Sequence, residues 1–481
     1  MSLLWMTDNE RVVKVNDDIF SNLNLDKLLG YKTLGILSCY CNDDELSGRI
    51  KIFQRIIGGD LYQVFCKLRS ALADLDACYY VFDKSSNQLE RIFRARNLYY
   101  SYKCVLDIVA DIKVNDEVLL MDFKNNIAKM SEPVLKAEKY VNDSEKLINT
   151  VSRAKIKVGG GSVVAPSNGS VTWIDEILQL IDGIGITIDS AKINSRSIKP
   201  NNEFAIAYCR TYIDEIRVLS EYPKIVSLFN REILLYRDEI EFYISIFELI
   251  QKALDIGIAC TLPAVTHDKS FMAKGVYDIS LMAENVKDIV PNDVFITQDE
   301  SVFFIIGANG GGKTSYLRAV AINALLATAG CPVFADEAVI YNFNRIYTHF
   351  PSDENSTDVG RFFEEKQRID TILSHCTHDT LVFMNETFSG TDNAKGSLET
   401  LSVARKLKDS GSMGLIVTHF NEIPFDELPV LSAVVDDGKR TFIIKRHDTK
   451  IKAHANDILK KYSLTPDLIK KRYNKGAQND T

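Results

Sequence analysis

The sequence lacks the features that would point to a membrane or secreted protein. No run of about 18 consecutive apolar residues occurs among its 481 residues, which argues against a membrane-spanning helix. The first eight residues have neither a basic start nor a long apolar stretch, so they do not resemble a secretory signal. The nine cysteines include no C-x-x-C pair, and the closest two are Cys39 and Cys41. We therefore expect reduced thiols and a cytoplasmic protein.

An excess of positive charge is also missing. Lysine and arginine number 57 against 65 aspartates and glutamates, so the formal net charge is −8. Such a chain does not bind nucleic acid through its net charge, and any contact with DNA would need a local basic face. Two runs could supply one: Arg91, Arg94 and Arg96, or Lys470, Lys471 and Arg472. The alternative is that both runs are solvated helix faces. The seven histidines show no metal-like spacing.

The pattern of apolar residues divides the chain into two parts. Residues 45–155 and 201–256 are predicted to be mostly helical, and residues 49–57 and 103–112 carry apolar residues at the three- and four-residue spacing typical of helices. A further helix is predicted at residues 173–193. The glycine-rich stretch at about 158–170 interrupts this part and is predicted to be a flexible loop. From about residue 265, short β-rich runs alternate with helical segments, which predicts an α/β sheet domain. The predicted strands are residues 302–306, 380–384, 414–418 and 441–445, with helices at 313–329 and 396–410.

The most specific motif is a glycine-rich loop that follows an apolar strand. Its residues are Gly307, Ala308, Asn309, Gly310, Gly311, Gly312, Lys313 and Thr314. They have the full G-x-x-x-x-G-K-[ST] spacing of a phosphate-binding P-loop. In such a loop the backbone N–H groups converge on a β-phosphate, while Lys313 reaches the β- and γ-phosphates and the Thr314 hydroxyl holds Mg²⁺. The alternative is a glycine-rich loop without function.

A second apolar strand ends in two polar residues, which is the layout of a Walker B motif. Residues 381–386 read L-V-F-M-N-E. The first polar position normally orders Mg²⁺ through water, and the second polarises the attacking water as general base. Here the first position is Asn385, which brings no charge, so weaker Mg²⁺ binding and slower hydrolysis are expected. Glu386 stands in the general-base position. An ordinary buried strand end is the alternative reading.

Two further segments follow predicted strands. His419 ends a strand about thirty residues after Glu386, where a switch histidine would sense the γ-phosphate; a structural histidine is the alternative. Residues 387–392 form a loop of Ser, Gly, Thr and Asp directly after Glu386. This loop either lies across a subunit boundary and touches a second nucleotide or is a plain surface turn.

Five blocks in this order resemble the MutS family of ATPases. Residues 307–318 resemble its G-P-N-M-G-G-K-S-T-Y-hydrophobic-R block, residues 330–335 its G-x-x-V-P-A segment, and residues 344–348 its D-R-I-F-T strand. Residues 385–391 stand where the family has D-E-I-G-R-G-T, and residues 418–420 match T-H-Y or T-H-F. The resemblance covers about residues 265–475 and is weaker upstream.

The resemblance implies an ABC-type α/β P-loop NTPase domain preceded by a mostly helical core and lever domain. The implied boundaries are residues 1–262 for the core and lever, 263–450 for the ATPase domain, and 451–481 for a helical dimerisation element. ATP and Mg²⁺ are the implied cofactors, in composite sites of a homodimer that binds DNA. Ser315 joins the nucleotide-binding residues, and Ile289 falls at the family's adenine-stacking aromatic.

The sequence departs from the family at three places. No counterpart of the mismatch-reading domain with its Phe-x-Glu wedge occurs, which argues against mismatch recognition. Gly360 and Arg361 stand at the Ser-Thr pair of the trans-acting signature loop. Arg361 either serves a neighbour's γ-phosphate as an arginine finger or is a surface arginine. The third departure is Asn385 in place of the Walker B aspartate.

The sequence predicts a MutS-like ATPase that binds mismatched, branched or otherwise structured DNA in repair, recombination or genome defence. The second hypothesis is a nucleotide-switched dimeric scaffold with slow or no hydrolysis. Turnover and salt-dependent DNA binding distinguish the two. A transporter ATPase subunit is disfavoured because the chain has no L-S-G-G-Q-type signature and no membrane partner segment.

Overall fold

The structure, a computed structural model, describes residues 2–6, 11–138, 140–142, 154–157, 163–166, 202–351, 358–389, 392–420, 423, 427–436 and 439–447. The chain divides into two compact units. The first, here the helical unit, comprises Met1–Thr7 and Gly58–Ile244. The second, here the sheet unit, comprises Asp8–Ile57 and Ser245–Thr481. The predicted helix at 173–193 and the C-terminal element at 451–481 lie outside the described residues.

The α-helices of the described residues follow the predicted helical texture. In chain order they are α1 (Ile19–Asn22), α2 (Tyr31–Leu37), α3 (Asp43–Ile57), α4 (Tyr62–Asp83), α5 (Gln88–Ala110), α6 (Val118–Lys129), α7 (Asn202–Thr211), α8 (Ile213–Leu219), α9 (Tyr222–Val226), α10 (Tyr236–Asp255), α11 (Lys313–Ala327), α12 (Asp358–His375) and α13 (Asn393–Asp409). Short 3-10 helices occur at Leu25–Lys27, Arg231–Leu235 and Ile279–Glu284. None of the helices described is long and apolar enough to cross a membrane.

The helical unit is built around the pair α4 and α5. A local cap begins α5: the Asn87 side chain accepts the Glu90 N–H at 2.9 Å, and the Glu90 carboxylate accepts the Ser86 N–H at 2.7 Å. This reciprocal arrangement satisfies backbone donors that the first turn leaves free. The same unit contains a short antiparallel pair, β1 (Ala154–Lys157) and β2 (Val163–Pro166). Residues 163–166 are therefore a strand within the stretch predicted as a loop.

The sheet unit contains two β-sheets. The larger one has the strand order β12-β11-β6-β10-β9-β8. Its strands are β6 (Val302–Ile306), β8 (Arg345–His349), β9 (Thr380–Asn385), β10 (Met413–Val417), β11 (Val430–Asp436) and β12 (Lys439–Arg446). All neighbours in this sheet pair in parallel except β11 with β12, which pair antiparallel. The carboxyl ends of the five parallel strands therefore share one edge.

Three of the four predicted strands occupy the centre of this sheet, and the fourth, residues 441–445, lies within the edge strand β12. Strand β6 has the predicted bounds, while β9 extends one residue further and β10 begins and ends one residue earlier. All residues of β9 and β10 are buried, because helices cover both faces of a mostly parallel sheet. Strands β11 and β12 pair antiparallel as a hairpin, and residues 437–438 between them lie outside the described residues.

The smaller sheet is mixed and has the strand order β3-β7-β4-β5. Its strands are β3 (Ala264–Thr266), β4 (Ser270–Val276), β5 (Asn292–Thr297) and β7 (Glu337–Tyr341). Strand β5 leads into β6, whereas β7 follows the glycine-rich loop in the chain. The fold class of the sheet unit is thus mixed α/β, and most of the helical unit is encoded between its two segments.

Residues of the N-terminal part of the chain belong to the sheet unit. Val15 forms a parallel bridge with Ile346 of β8, and Asn16 exchanges two hydrogen bonds with Thr348 at 2.8 and 2.9 Å. These contacts cover an edge strand that would otherwise expose unpaired backbone groups. The compact units thus group residues 8–57 with the predicted ATPase part, and the three-domain division with a boundary at 262 stays a prediction.

Two cations of this N-terminal segment are buried against the carboxyl end of α11. The Lys14 ammonium donates to the Thr328 hydroxyl at 3.0 Å, and the Arg49 guanidinium donates to the Ala329 carbonyl at 3.1 Å. Both side chains are fully buried. Cations stabilise the negative end of a helix and satisfy its last carbonyls. The N-terminal segment is therefore fastened to the helix that follows the glycine-rich loop.

Candidate functional site

The glycine-rich loop connects β6 to α11. Strand β6 is buried through Ile305, and α11 begins at Lys313. Gly307 has φ 135° and Gly312 has φ 93°, a region that side-chain-bearing residues rarely adopt. A Cβ atom on Gly307 would lie 2.9 Å from the Ala433 Cβ atom. The local sequence thus permits a tight backbone arch whose N–H groups stand at the amino end of a buried helix.

Lys313 is folded back over this arch. Its side chain is 4% exposed, and the ammonium donates to the Gly307 carbonyl at 2.9 Å and the Ala308 carbonyl at 3.3 Å. Burial lowers the pKa of Lys313, and the nearby Glu386 carboxylate opposes that shift. The cation is thus held at the loop by neutral acceptors, which leaves its charge available to an anion.

Thr314 and Asn385 meet across the site. The Thr314 hydroxyl donates to the Asn385 side-chain oxygen at 3.0 Å. Thr314 lies in the first turn of α11, while Asn385 ends β9 and is buried. The structure therefore brings together the two residues predicted to hold Mg²⁺. Oxygen donors of this kind suit Mg²⁺, which binds few protein ligands and keeps several waters.

Glu386 lies in a strained turn directly after β9. Its φ is 47° and that of Phe388 is 60°, both in the left-handed region. Non-glycine residues persist in that region only where their surroundings hold them. The Glu386 N–H donates to the Val417 carbonyl at 2.9 Å, which fixes the turn to the neighbouring strand β10. The Glu386 side chain is half-buried, at the shared carboxyl edge of the sheet.

Glu365 of α12 holds the other side of this turn. Its Oε1 atom accepts the Phe388 N–H at 2.8 Å and lies 3.2 Å from Nε2 of His349. His349 ends β8 and is 4% exposed. Sequence reasoning assigned no role to either residue. The only signal was their position: His349 directly follows residues 344–348, which resemble the family's D-R-I-F-T strand, and Glu365 ends the segment 352–365 that aligns with the family's signature loop.

His419 follows β10 at the same edge. It is exposed, whereas Thr418 before it and Phe420 after it are buried. The Thr418 hydroxyl oxygen accepts the Phe420 N–H at 3.1 Å, which fixes the turn, and the His419 and Phe420 rings lie 4.4 Å apart. In the sheet Val417 pairs with Asn385 on one side and with Ile305 on the other. The loop, Asn385 and His419 thus follow three adjacent strands.

The other predicted residues occupy varied positions. Ser315 lies half-buried in the first turn of α11, Asn309 is exposed on the loop, and Ile289 is 9% exposed just before β5. The Arg361 side chain, Gly390 and Thr391 lie outside the described residues. Within the part of the chain that the structure describes, no group of three or more His, Cys, Asp or Glu side chains could hold a metal ion.

The basic run on α5 is not one solvated face. Arg91 is exposed, but Arg94 is buried, pairs with Glu90 and donates to the Val81 carbonyl. The prediction that all three arginines could contact DNA is wrong for Arg94, because its charge is used within the helical unit. The second run, residues 470–472, lies outside the described residues.

The fold and the site define an α/β protein with a glycine-rich phosphate-loop motif at the carboxyl edge of a parallel sheet. Residues 303–475 match the family described as MutS domain V. Over this region the chain is similar to the MutS family, so the resemblance drawn from the five sequence blocks is confirmed.

Individual relatives agree with this assignment. The chain is 38% identical over 125 residues to the mitochondrial DNA mismatch repair protein MSH1 of Arabidopsis thaliana, a match covering 26% of this chain and 11% of that protein. It is 33% identical over 136 residues to the DNA mismatch repair protein MutS of Lactobacillus gasseri, covering 28% of this chain and 16% of that protein. A match at 24% identity to MutS of Geobacillus thermodenitrificans covers 48% of this chain and 28% of that protein. The matches thus span less than a third of these relatives.

Proposed function

We propose that this chain is an ATPase of the MutS type that binds ATP with Mg²⁺, hydrolyses it slowly and acts on DNA. The observation that carries the proposal is the contact between Thr314 and Asn385 at 3.0 Å, beside Glu386. This contact joins the residue after Lys313 to the end of β9. It places two oxygen atoms that could bind a metal next to each other, and the Glu386 carboxylate follows directly in sequence.

The residues present fit a nucleoside triphosphate. Side chains would fill the loop: a Cβ atom on Gly311 would lie 2.9 Å from the Ala308 carbonyl oxygen. Only a bare backbone leaves room for phosphate oxygens against the N–H groups at the start of α11. Lys313 brings a positive charge whose present partners are neutral. Thr314 and Asn385 would hold Mg²⁺, which on binding offsets the phosphate charge.

The remaining residues supply the chemistry of hydrolysis. Glu386 accepts a proton from a water molecule directed at the γ-phosphate. The strained turn holds its backbone between the Val417 carbonyl and Glu365. His419 stands exposed on the neighbouring strand end and responds to the γ-phosphate. Asn385 lacks the charge of an aspartate, so its oxygen binds a metal-bound water less strongly and turnover is slow.

DNA as the substrate and a homodimer as the working unit rest on the relatives. The curated proteins matched are named as DNA mismatch repair proteins. The chain spans only a small part of their length, so their activity is extended here as a proposal. The cytoplasmic location also stays a prediction, since one relative is named as mitochondrial.

A nucleotide-switched dimeric scaffold with little hydrolysis is the second candidate function. Two observations favour it: Asn385 is neutral, and the net charge of −8 with Arg94 buried leaves less positive charge for DNA. In this function ATP binding and dimerisation carry the signal, and turnover merely resets it.

ATP binding and turnover of the full chain test the proposal. Lys313→Ala is expected to abolish ATP binding, whereas Lys287→Ala, an exposed lysine outside the site, keeps the affinity of the parent chain. Glu386→Gln is expected to bind ATP and to lose about 100-fold or more in kcat. Unchanged ATP affinity in Lys313→Ala would refute the P-loop assignment.

DNA binding at low and moderate salt separates the two functions. For the first, structured DNA binds at low salt, affinity falls as salt rises, and DNA changes the rate of ATP hydrolysis. If the protein binds ATP but does not bind DNA, and DNA does not change its rate of ATP hydrolysis, the first function is refuted. The scaffold function then remains.

A further inference from the structure

The hairpin of β11 and β12 lies along the glycine-rich loop. Strand β11 pairs in parallel with β6, with Leu431 opposite Ile305 and Ser432 opposite Ile306. Because the two strands run in the same direction, the end of β11 lies at the sheet edge where the loop begins. Strand β12 then starts at this edge and returns antiparallel. The first residues of β12 are thus next to the loop.

Two side chains of β12 approach the loop closely. A Cβ atom placed on Gly310 would lie 2.6 Å from Nη1 of Arg440. A Cβ atom on Gly312 would lie 3.3 Å from the Phe442 Cα atom and 3.4 Å from its Cδ1 atom. The register of the β11–β12 pair shifts between Arg440 and Ile444, so Phe442 lies in an irregular part of the strand, but both residues lie against the glycine-rich loop. They therefore form a second surface beside the backbone arch.

Arg440 carries a charge that has no partner among the residues the structure describes. Its side chain is exposed and makes no hydrogen bond or ion pair with any of them. Arg446 at the far end of the same strand, in contrast, pairs with Glu300. A guanidinium presents several N–H donors in a planar fork that matches phosphate oxygens. The position of Arg440 beside Gly310 suits an anion held by the loop.

Phe442 is held in an unfavourable backbone conformation beside Gly312. Its φ is 59°, which is an outlier for a bulky side chain, and the residue is 47% exposed. The neighbouring Thr441 fixes this geometry: its hydroxyl donates to the Val434 carbonyl at 2.7 Å and accepts the Ile443 N–H at 3.2 Å. The strand therefore presents an aromatic ring to solvent next to the loop.

Asn292 holds the same strand from the other sheet. Its side-chain nitrogen donates to the Phe442 carbonyl at 3.1 Å, and its oxygen accepts the Ile444 N–H at 2.7 Å. Strain that several hydrogen bonds impose at one residue is typical of binding sites. An exposed phenyl ring gains nothing from this conformation in the free protein. A flat ligand surface beside it would bury the ring.

We propose that Arg440 and Phe442 form a second wall of the nucleotide site, in the same chain as the P-loop. Arg440 binds phosphate oxygens from the side opposite Lys313. Phe442 packs against the ribose and base, where Ile289 offers only an aliphatic surface. The proposal rests on the proposed ATP binding at the loop and adds two residues that the sequence motifs do not include.

The affinities for ATP and for inorganic triphosphate, measured side by side, test the roles of Arg440 and Phe442 separately. Arg440→Ala is expected to lower the affinity for ATP and the affinity for inorganic triphosphate by about tenfold each, because the guanidinium contacts phosphate. Arg440→Lys is expected to recover part of this affinity, because lysine keeps the positive charge but lacks the planar set of N–H donors of the guanidinium. Lys445→Ala, which removes an exposed charge from the same strand, is the matched control and changes neither affinity by more than about twofold.

Phe442→Gly distinguishes a binding role from a structural one. Glycine adopts a φ of 59° without strain, so the free variant is expected to unfold at the same temperature or higher. It is expected to bind ATP about threefold to tenfold more weakly while its affinity for inorganic triphosphate is unchanged. A residue that only shaped the hairpin would leave ATP affinity unaltered.

Lys313→Ala in the same assays separates this proposal from the function on which it rests. If Lys313→Ala no longer binds ATP while Arg440→Ala and Phe442→Gly bind it with the affinity of the parent chain, the second wall is refuted. The proposed binding of ATP at the glycine-rich loop is then still supported. If Lys313→Ala itself keeps full ATP affinity, the proposed function fails first.

Discussion

Asn385 is the residue of this site that stands where the MutS pattern has the Walker B aspartate. Its oxygen accepts the Thr314 hydroxyl at 3.0 Å, so it lies beside the other residue proposed to hold Mg²⁺, but it brings no charge. A carboxylate of the same shape would bind a metal-bound water by a charge-assisted hydrogen bond, which is about twice as strong as a neutral one.

Asn385→Asp is therefore expected to lower the Mg²⁺ concentration for half-maximal ATP hydrolysis by about tenfold and to raise kcat. Titration of ATPase activity with Mg²⁺ measures both. Asn393→Asp adds the same charge at an exposed position and is expected to change neither value. Loss of activity in Asn385→Asp would mean that the site depends on the amide.

Lys14 gives a second prediction at this scale, on stability. Burial lowers the pKa of Lys14 to about 8, from the 10.5 of an exposed lysine. Between these two values the unfolded chain holds a proton that the folded chain has released, so the free energy of unfolding rises with pH. Below pH 8 both states are protonated, and the cost of burying the charge is present in full.

Replacing Lys14 by Met removes this dependence. The free energy of unfolding of the parent chain, minus that of Lys14→Met, is expected to increase by about 2 kcal/mol from pH 7.5 to pH 10. Denaturant unfolding at both pH values measures the difference. Lys445→Met, at an exposed lysine, is the control and should show no such trend. A flat difference for Lys14→Met would mean that the ammonium is hydrated in the folded protein.

At the scale of elements, α12 connects the end of β8 to the turn that carries Glu386. Glu365 accepts the Phe388 N–H at 2.8 Å and contacts His349. The turn contains two left-handed residues, so it needs external contacts to keep its shape. Glu365 thus acts as a positioning residue for the proposed general base.

Glu365→Ala is expected to lower kcat by about tenfold to 100-fold while ATP affinity changes by no more than about twofold, since misplacement of a catalytic group affects chemistry first. Glu365→Gln keeps an oxygen acceptor and should recover most of the rate. Glu364→Ala, at the exposed neighbouring position, is the control. An equal loss in kcat and in ATP affinity would indicate general damage to the sheet unit.

The central elements could be predicted from the sequence because each has a local signal. Strand β6, the loop and α11 follow one another as an apolar run, a glycine pattern and a helical pattern, and their bounds came within two residues. The hairpin contacts could not be predicted. Arg440 reaches Gly310 only because β11 pairs with β6, and strand order depends on packing between residues more than a hundred positions apart.

At the scale of the whole molecule, the sheet unit is assembled from two distant parts of the chain. The Ile346 N–H donates to the Lys14 carbonyl at 2.8 Å, and the Asn342 side chain donates to the Cys41 carbonyl at 2.9 Å. The sequence analysis did not anticipate these pairings, because the family resemblance assigns residues 1–262 to the core and lever domain. Domain boundaries drawn from texture alone therefore differ from the compact units.

Native-state hydrogen exchange can test this grouping. The amides of Tyr40 and Ile346 are expected to exchange with the same opening free energy and the same dependence on denaturant, because one cooperative unit protects both. Amides in the middle of α4 serve as the reference for the helical unit. If Tyr40 exchanges with the α4 amides and not with Ile346, residues 11–57 do not share the stability of the sheet unit.

The buried pair formed by Lys14 and Thr328 also sets an order of events during synthesis. The two residues are 314 positions apart, so Lys14 leaves the ribosome long before its partner exists. At about 5 to 20 residues per second, the delay is roughly 15 to 60 seconds. During this time the first fifty residues cannot bury their cations. The part of the chain that is made first is therefore among the last to reach its final place.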